Sequence, residues 1–144
     1  MSLLMGLYAG IIATLGMSLV EYPIWRHWGL DGVAEWHLNQ AIVARFTRKP
    51  VEDAVVEGLL LHFAHGAIAG LIFSWTLTML PLTISPILLG LMFGTLLWLI
   101  SMTITKPITG TGVFGEPSTS ILLVCGIVGH LVYGLLLGAL VGIL

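Results

Sequence analysis

Charge is nearly missing from this sequence. Five Lys and Arg and seven Asp and Glu make up 8% of 144 residues, where a soluble domain carries about 25%. With 58% hydrophobic residues, a chain this short cannot hide its apolar surface in a water-soluble core. The near-zero balance and the lack of a basic tail exclude a nucleic-acid or anionic-lipid footprint. One cysteine, Cys125, excludes an intrachain disulfide framework and a thiolate metal site. No Lys or Arg precedes Arg26, so the first apolar run lacks the basic flank of a secretory signal and reads as a retained helix. Neither G-x-x-x-x-G-K-[ST] nor H-E-x-x-H occurs, which leaves no phosphate loop and no hydrolytic zinc motif.

What is there is apolar runs of bilayer length. Four segments, about 3–20, 58–80, 87–104 and 121–144, reach the roughly twenty residues a span requires. Pro81 and Pro86 bracket a tight turn between the second and third. The charges then sort. Arg26, Arg45, Arg48, Lys49 and Lys106 fall in the 1–2 and 3–4 connections or at their edges, as do Glu21, Asp31, Glu35, Glu52, Asp53, Glu57 and Glu116. The positive-inside rule places both connections in the cytoplasm and both termini outside a cytoplasmic membrane.

Small residues recur at helical spacing. Gly58-x₃-His62-x₃-Gly66-x₃-Gly70 returns 68 residues later as Gly126-x₃-His130-x₃-Gly134-x₃-Gly138. Gly6, Gly10 and Pro23 match Gly90, Gly94 and Pro107 at an offset of 84. The expected architecture is therefore an all-α bundle of four transmembrane helices, built from two tandem parallel hairpins, 1–80 and 81–144. The four-residue step aligns each set on one helix face. Small stripes let helix backbones approach in lipid, so packing alone accounts for these glycines.

The histidines ask for more, because an imidazole in hydrocarbon needs a partner. His130 lies about twelve residues into span four, roughly 18 Å at 1.5 Å per residue, and the repeat places His62 at matched depth. Three readings fit. In the first, each imidazole is neutral and bonds a hydroxyl or carbonyl of a neighbouring helix, with Thr14, Ser18, Ser101 and Thr103 as candidates. In the second, His62 and His130 are axial ligands of a b-type haem. In the third, His62, His65 and His130 hold a copper or zinc ion, or with Glu57 relay protons. The first reading needs no cofactor and is the expectation.

In the first connection, Trp25, Trp28 and Trp36 suit the headgroup level. Asp31 is positioned to cap a helix running to about Thr47. The apolar residues of that helix, Val33, Trp36, Leu38, Ile42 and Phe46, spread around its wheel, which implies burial on several sides. His27 and His37 read as interfacial polarity. Ser118 or Ser120 can cap the fourth span.

G-x₃-G in span one, a tryptophan-rich connection and H-x₃-G-x₃-G in span two together resemble uncharacterised small four-helix integral membrane proteins of bacteria and archaea, mainly over residues 5–75. That resemblance implies a fold and no chemistry. The chain does not resemble the small multidrug transporters, which need a glutamate within span one, since Glu21 falls past the expected end of that span. Nor does it show the asparagine motif of dual-topology fluoride channels, since its one asparagine, Asn39, is in a connection. The expected role is a non-catalytic accessory subunit, with the lipid bilayer and other membrane subunits as partners and no nucleic acid. A respiratory or monooxygenase-type host has no residue behind it. A haem, metal or proton-handling protein using His62 and His130 is the alternative, and a small transporter the third.

Overall fold

The computed structural model describes residues 3–28, 34–79, 84–109 and 120–143, all helix apart from short turns. Helix α1 spans Leu3–Trp28 and α2 spans Glu35–Thr47. A 3₁₀ turn, Val51–Ala54, leads into α3, Val55–Met79. Helix α4, Pro86–Ile100, runs on through a π-helical turn at Ser101–Thr105 into a short α5, Lys106–Thr109. Helix α6 spans Ser120–Ile143. Four helical stretches are long and apolar enough to cross a bilayer: Leu3–His27, Val51–Met79, Pro86–Thr109 and Leu123–Ile143. The fold is an all-α bundle, and its apolar helices mark a membrane-embedded protein.

Two span limits differ from the expectation. Helix α1 does not stop near Val20 but continues through Pro23 to Trp28. Proline removes one i→i−4 bond, and close to a helix end that loss is tolerated. Glu21 therefore lies inside a helix and is fully buried, not at the edge of a connection. The third span likewise runs past Ile104 to Thr109, so Lys106 is helical and buried. Pro86 opens α4 at its first turn, where its missing N–H costs nothing. Residues 81–83 of the expected 81–86 turn, the Asp31 cap and Ser118 lie outside the described residues, and Ser120 is the first residue of α6 itself.

Helix α1 packs on α3, α4 on α6, and α1 on α6. Backbone contact at glycine makes the first two pairings close. A methyl group on Gly70 would lie 2.8 Å from Gly10 Cα, and one on Gly90 would lie 3.0 Å from Gly138 Cα. Gly6 faces Ser74 and the Gly70 carbonyl, Gly66 faces Thr14, and Gly94 faces the His130 carbonyl. Gly134 faces the Gly90 carbonyl. Gly58 and Gly126 meet different partners, the backbone of Gln40 on α2 and the indole of Trp98 on α4.

The contacts also set a register. Gly10 meets the Gly66 carbonyl and Gly70 Cα, and Gly90 meets the Gly134 carbonyl and Gly138 Cα. Gly10 is thus the counterpart of Gly90, an offset of 80, one helical turn from the sequence alignment at 84. Sequence matching favours 84, where Gly6, Gly10 and Pro23 all find counterparts, but glycines four apart share a face, so the backbones can pack one turn away from that alignment.

The apolar core joins Ala9, Ala13 and Met17 of α1, Ala69, Phe73 and Leu77 of α3, and Tyr133, Leu137 and Val141 of α6. Helix α2 lies against α3 and touches α1 and α5, at the bundle end where the charged residues gather. It buries Leu38, Asn39, Gln40 and Ala44 and leaves Phe46 exposed.

A polar-ended cavity between two helices

Helices α3 and α4 are not packed along their length. Between them opens a cavity of about 440 Å³. Ile68 and Ile72 of α3 and Leu96 and Ile100 of α4 line it while remaining exposed on the outer surface. This edge of the cavity therefore faces lipid. Its inner wall comes from α1 and α6, through Thr14, Met17, His130 and Tyr133. Beyond, Phe73 and Phe93 bridge the gap, with ring centroids 5.3 Å apart.

The polar side chains collect at the end covered by α2. His62, His65 and His130 all line this one cavity, with Glu35, Asn39, Ser101 and Thr105. His62 is buried and sits in a chain of hydrogen bonds. Asn39 Nδ2 lies 3.1 Å from the Glu35 carbonyl and 3.4 Å from His62 Nδ1. An amide nitrogen only donates, so Nδ1 accepts and Nε2 carries the proton. Nε2–H then donates to Ser18 Oγ at 3.1 Å, and Ser18 donates to the Thr14 carbonyl at 2.9 Å. His130 differs. Its Nδ1 lies 2.8 Å from the carbonyl of Gly126 in its own helix, which leaves an Nε2 lone pair. Tyr133 donates across the bundle to the Gly66 carbonyl at 2.7 Å.

Of the four expected histidine partners, Ser18 is the one that meets an imidazole. Thr14 donates to the Gly10 carbonyl, Thr103 to the Leu99 carbonyl, and Ser101 to Glu35 Oε1 at 2.7 Å. Among the described residues no three His, Cys, Asp or Glu side chains are placed to hold one metal ion. A haem or metal ligated by His62 would have to displace either Ser18 or Asn39. Glu57 does not join the histidines; it pairs with Lys49 at 2.9 Å on the surface. Nor is Ser18 arranged as a nucleophile with a base, because it receives the imidazole proton and passes its own to a carbonyl.

Two acidic side chains, Glu21 and Glu35, lie at this end, where the sequence places Glu21 at the edge of the first connection and Glu35 in its helix. Glu21 Oε2 accepts the backbone N–H of Glu35 at 3.0 Å, the first residue of α2. It acts as an N-cap from another helix, where Ala34 has no side chain to do so. Glu21 Oε1 is buried without a partner and sits against Gly129, whose missing side chain makes the room. The signal was available: Thr14, Ser18 and Glu21 stand at i, i+4 and i+7, one polar stripe along an apolar helix. For Glu35 the pattern held no signal, because its role depends on where α2 docks. His37 stacks edge-on with Trp25 and Trp36, at centroid distances of 5.3 and 5.1 Å, beside this end of the bundle.

No curated protein and no solved structure matches the chain significantly. The sequence is matched over residues 1–144 by a family of unknown function, DUF6789, and the chain belongs to that family.

Proposed function

We propose that this chain is a non-catalytic membrane protein whose cavity between α3 and α4 binds a small amphiphile entering from the lipid side. One observation carries the reading: a cavity of about 440 Å³ with hydrogen-bonding groups at one end and exposed aliphatic side chains at the other. The volume falls within the roughly 300–1,000 Å³ of small-molecule pockets. A purely structural bundle gains nothing from leaving such a space between two spans. The test is native mass spectrometry of protein released from lipid nanodiscs, comparing wild type with Leu96→Trp, which fills the lipid-facing opening. Wild type should carry a small molecule that Leu96→Trp lacks. Identical adducts on the two proteins would overturn the reading.

A second reading is an accessory subunit of a larger membrane complex. Phe46, 75% exposed on α2 outside the apolar spans, favours it. The same spectra separate the two, since a stoichiometric second chain supports a subunit role. A transporter would need an opening at the charged end as well, where α2 lies. Haem b ligation by His62 and His130 draws less support, because both nitrogens of His62 are engaged.

For topology we propose that the charged end faces the cytoplasm and both termini lie outside, on the strength of the basic residues gathered there. We also read 1–80 and 81–144 as tandem copies, with the glycine contacts as their packing determinants.

A further inference from the structure

The polar end of the cavity is rich in acceptors and poor in donors. Asn39 is 2% exposed, and its Oδ1 has no partner. His130 keeps the Nε2 lone pair, because its Nδ1 is committed to the Gly126 carbonyl. Glu35 offers a carboxylate of which Ser101 uses one oxygen. The hydroxyls of Thr14, Ser101 and Tyr133 are all spent on protein acceptors. So are the Asn39 amide hydrogens and the His62 Nε2 proton. Only His65 and Thr105 keep a donor among the polar lining.

A ligand seated here must therefore bring hydrogens. An anionic head would meet lone pairs and the Glu35 carboxylate. A cationic head would compete with Lys106, a buried cation within electrostatic range of Glu35, and a surplus charge in hydrocarbon is costly. The remaining head is neutral and carries O–H groups. The lipid-facing edge, lined by Ile68, Ile72, Leu96 and Ile100, fits one hydrocarbon chain leaving toward the bilayer.

We infer that the cavity's ligand is a single-chain amphiphile with an uncharged, hydroxyl-bearing head, seated against Asn39, His130 and Glu35. This rests on the reading of the cavity as a ligand site. A monoacylglycerol and an isoprenoid hydroquinone are two sources of the same chemistry.

The experiment is photolabelling of the full chain in phosphatidylcholine nanodiscs, using a monoacylglycerol with a diazirine in its acyl chain. Adducts should map to 68–72 and 96–100. Monooleoylglycerol should compete at about tenfold lower concentration than oleate or oleylamine, which share its chain and differ in head charge. A hydroquinone that competes better than monooleoylglycerol identifies the phenolic source and keeps the inference. Asn39→Leu should cut labelling about tenfold. Equal competition by the three oleyl compounds overturns the head-group inference and leaves the ligand site standing. So does undiminished labelling of folded Asn39→Leu. Absence of adducts at both segments in wild type overturns the ligand site itself. Should Asn39→Leu fail to fold, competition on wild type decides.

Discussion

The bundle has two lengthwise seams between its halves, and they are built differently. The seam between α1 and α6 is closed. Ala9 and Ala13 of α1 share a core with Tyr133, Leu137 and Val141 of α6, and Gly16 sits against Leu136. The seam between α3 and α4 is open. In the register set by the glycine contacts, the α4 counterparts of Ala9, Ala13 and Gly16 are Leu89, Phe93 and Leu96. All three line the space between α3 and α4. Helices in lipid gain little from apolar contact as such and associate where backbones approach closely. Small residues close one seam, and large ones hold the other apart. The open seam thus follows from three side-chain sizes, two of which, Phe93 and Leu96, also line the cavity, and the polar groups around His62 lie where that seam meets α2.

The largest expected effect breaks the closed seam. Ala13 is completely buried, so Ala13→Phe has no space to enter. Overpacking of this kind costs about 1–3 kcal/mol and occasionally more. Thermal unfolding in a mild detergent should show a large loss for Ala13→Phe. A midpoint equal to wild type would mean that small residues are not what closes this seam.

The counterpart change opens the open seam further. Phe93→Ala removes one ring of the Phe73–Phe93 bridge. A fully buried Phe→Ala costs about 3–5 kcal/mol, but Phe93 is half-buried beside an existing cavity, so about 1–2 kcal/mol is expected from the same relation. Phe93→Ala should unfold above Ala13→Phe and take up more of an apolar fluorescent probe. If it is the more damaging of the two, α3 and α4 are packed more firmly than the cavity implies.

How much of this could be read beforehand divides along physical lines. The four spans were legible because bilayer thickness demands long apolar runs, and no packing detail is needed to see them. Matched depth for His62 and His130 was read from the repeat and helix geometry, but that both line one cavity depends on which helices meet. Their partners were not legible. The His62 bond to Ser18 depends on the relative register of α1 and α3, and glycines every four residues leave that register undetermined by a turn. Glu21 was misplaced because hydropathy falls at Val20 while the helix continues. The extent of a helix is set by backbone bonding, and its apolar stretch is a narrower quantity. Glu35 and Asn39 were illegible for another reason: α2 has no clean apolar face, and tertiary docking alone brings its polar residues inside.

A smaller effect sharpens the comparison at the diagonal. Tyr133 belongs to the closed seam, but its hydroxyl reaches α3 at the Gly66 carbonyl. It therefore limits how far the open seam can part. Tyr133→Phe deletes one hydrogen bond, with a net cost of about 0.5–1.5 kcal/mol, and the ring still fills its place. Hydrogen exchange should show faster opening of α3 near Gly66 than of α1. Equal acceleration in both helices would indicate general destabilisation, and the diagonal tie would lose its assigned role.

The smallest effect concerns how each seam is anchored at the charged end. The closed seam is anchored by Glu21, buried and bonded to the start of α2. The open seam's α3 begins beside a surface pair, Lys49 and Glu57, both substantially exposed. The hydrogen bond to Glu57, with its negative charge, raises the Lys49 ammonium above its ordinary range. A raised folded-state value means that any stabilisation is fully present below the ordinary lysine range, and is lost as pH climbs through the folded value. At neutral pH the pair is screened by water and salt. Lys49→Ala should leave the unfolding midpoint at pH 7 within experimental scatter, and any difference from wild type should vanish in strongly alkaline buffer. A clear loss at pH 7 would show that water does not reach this pair, which would place the start of α3 deeper in its surroundings than its exposure indicates. Both seams would then be anchored by buried polar groups, and the contrast between them would rest on side-chain size alone.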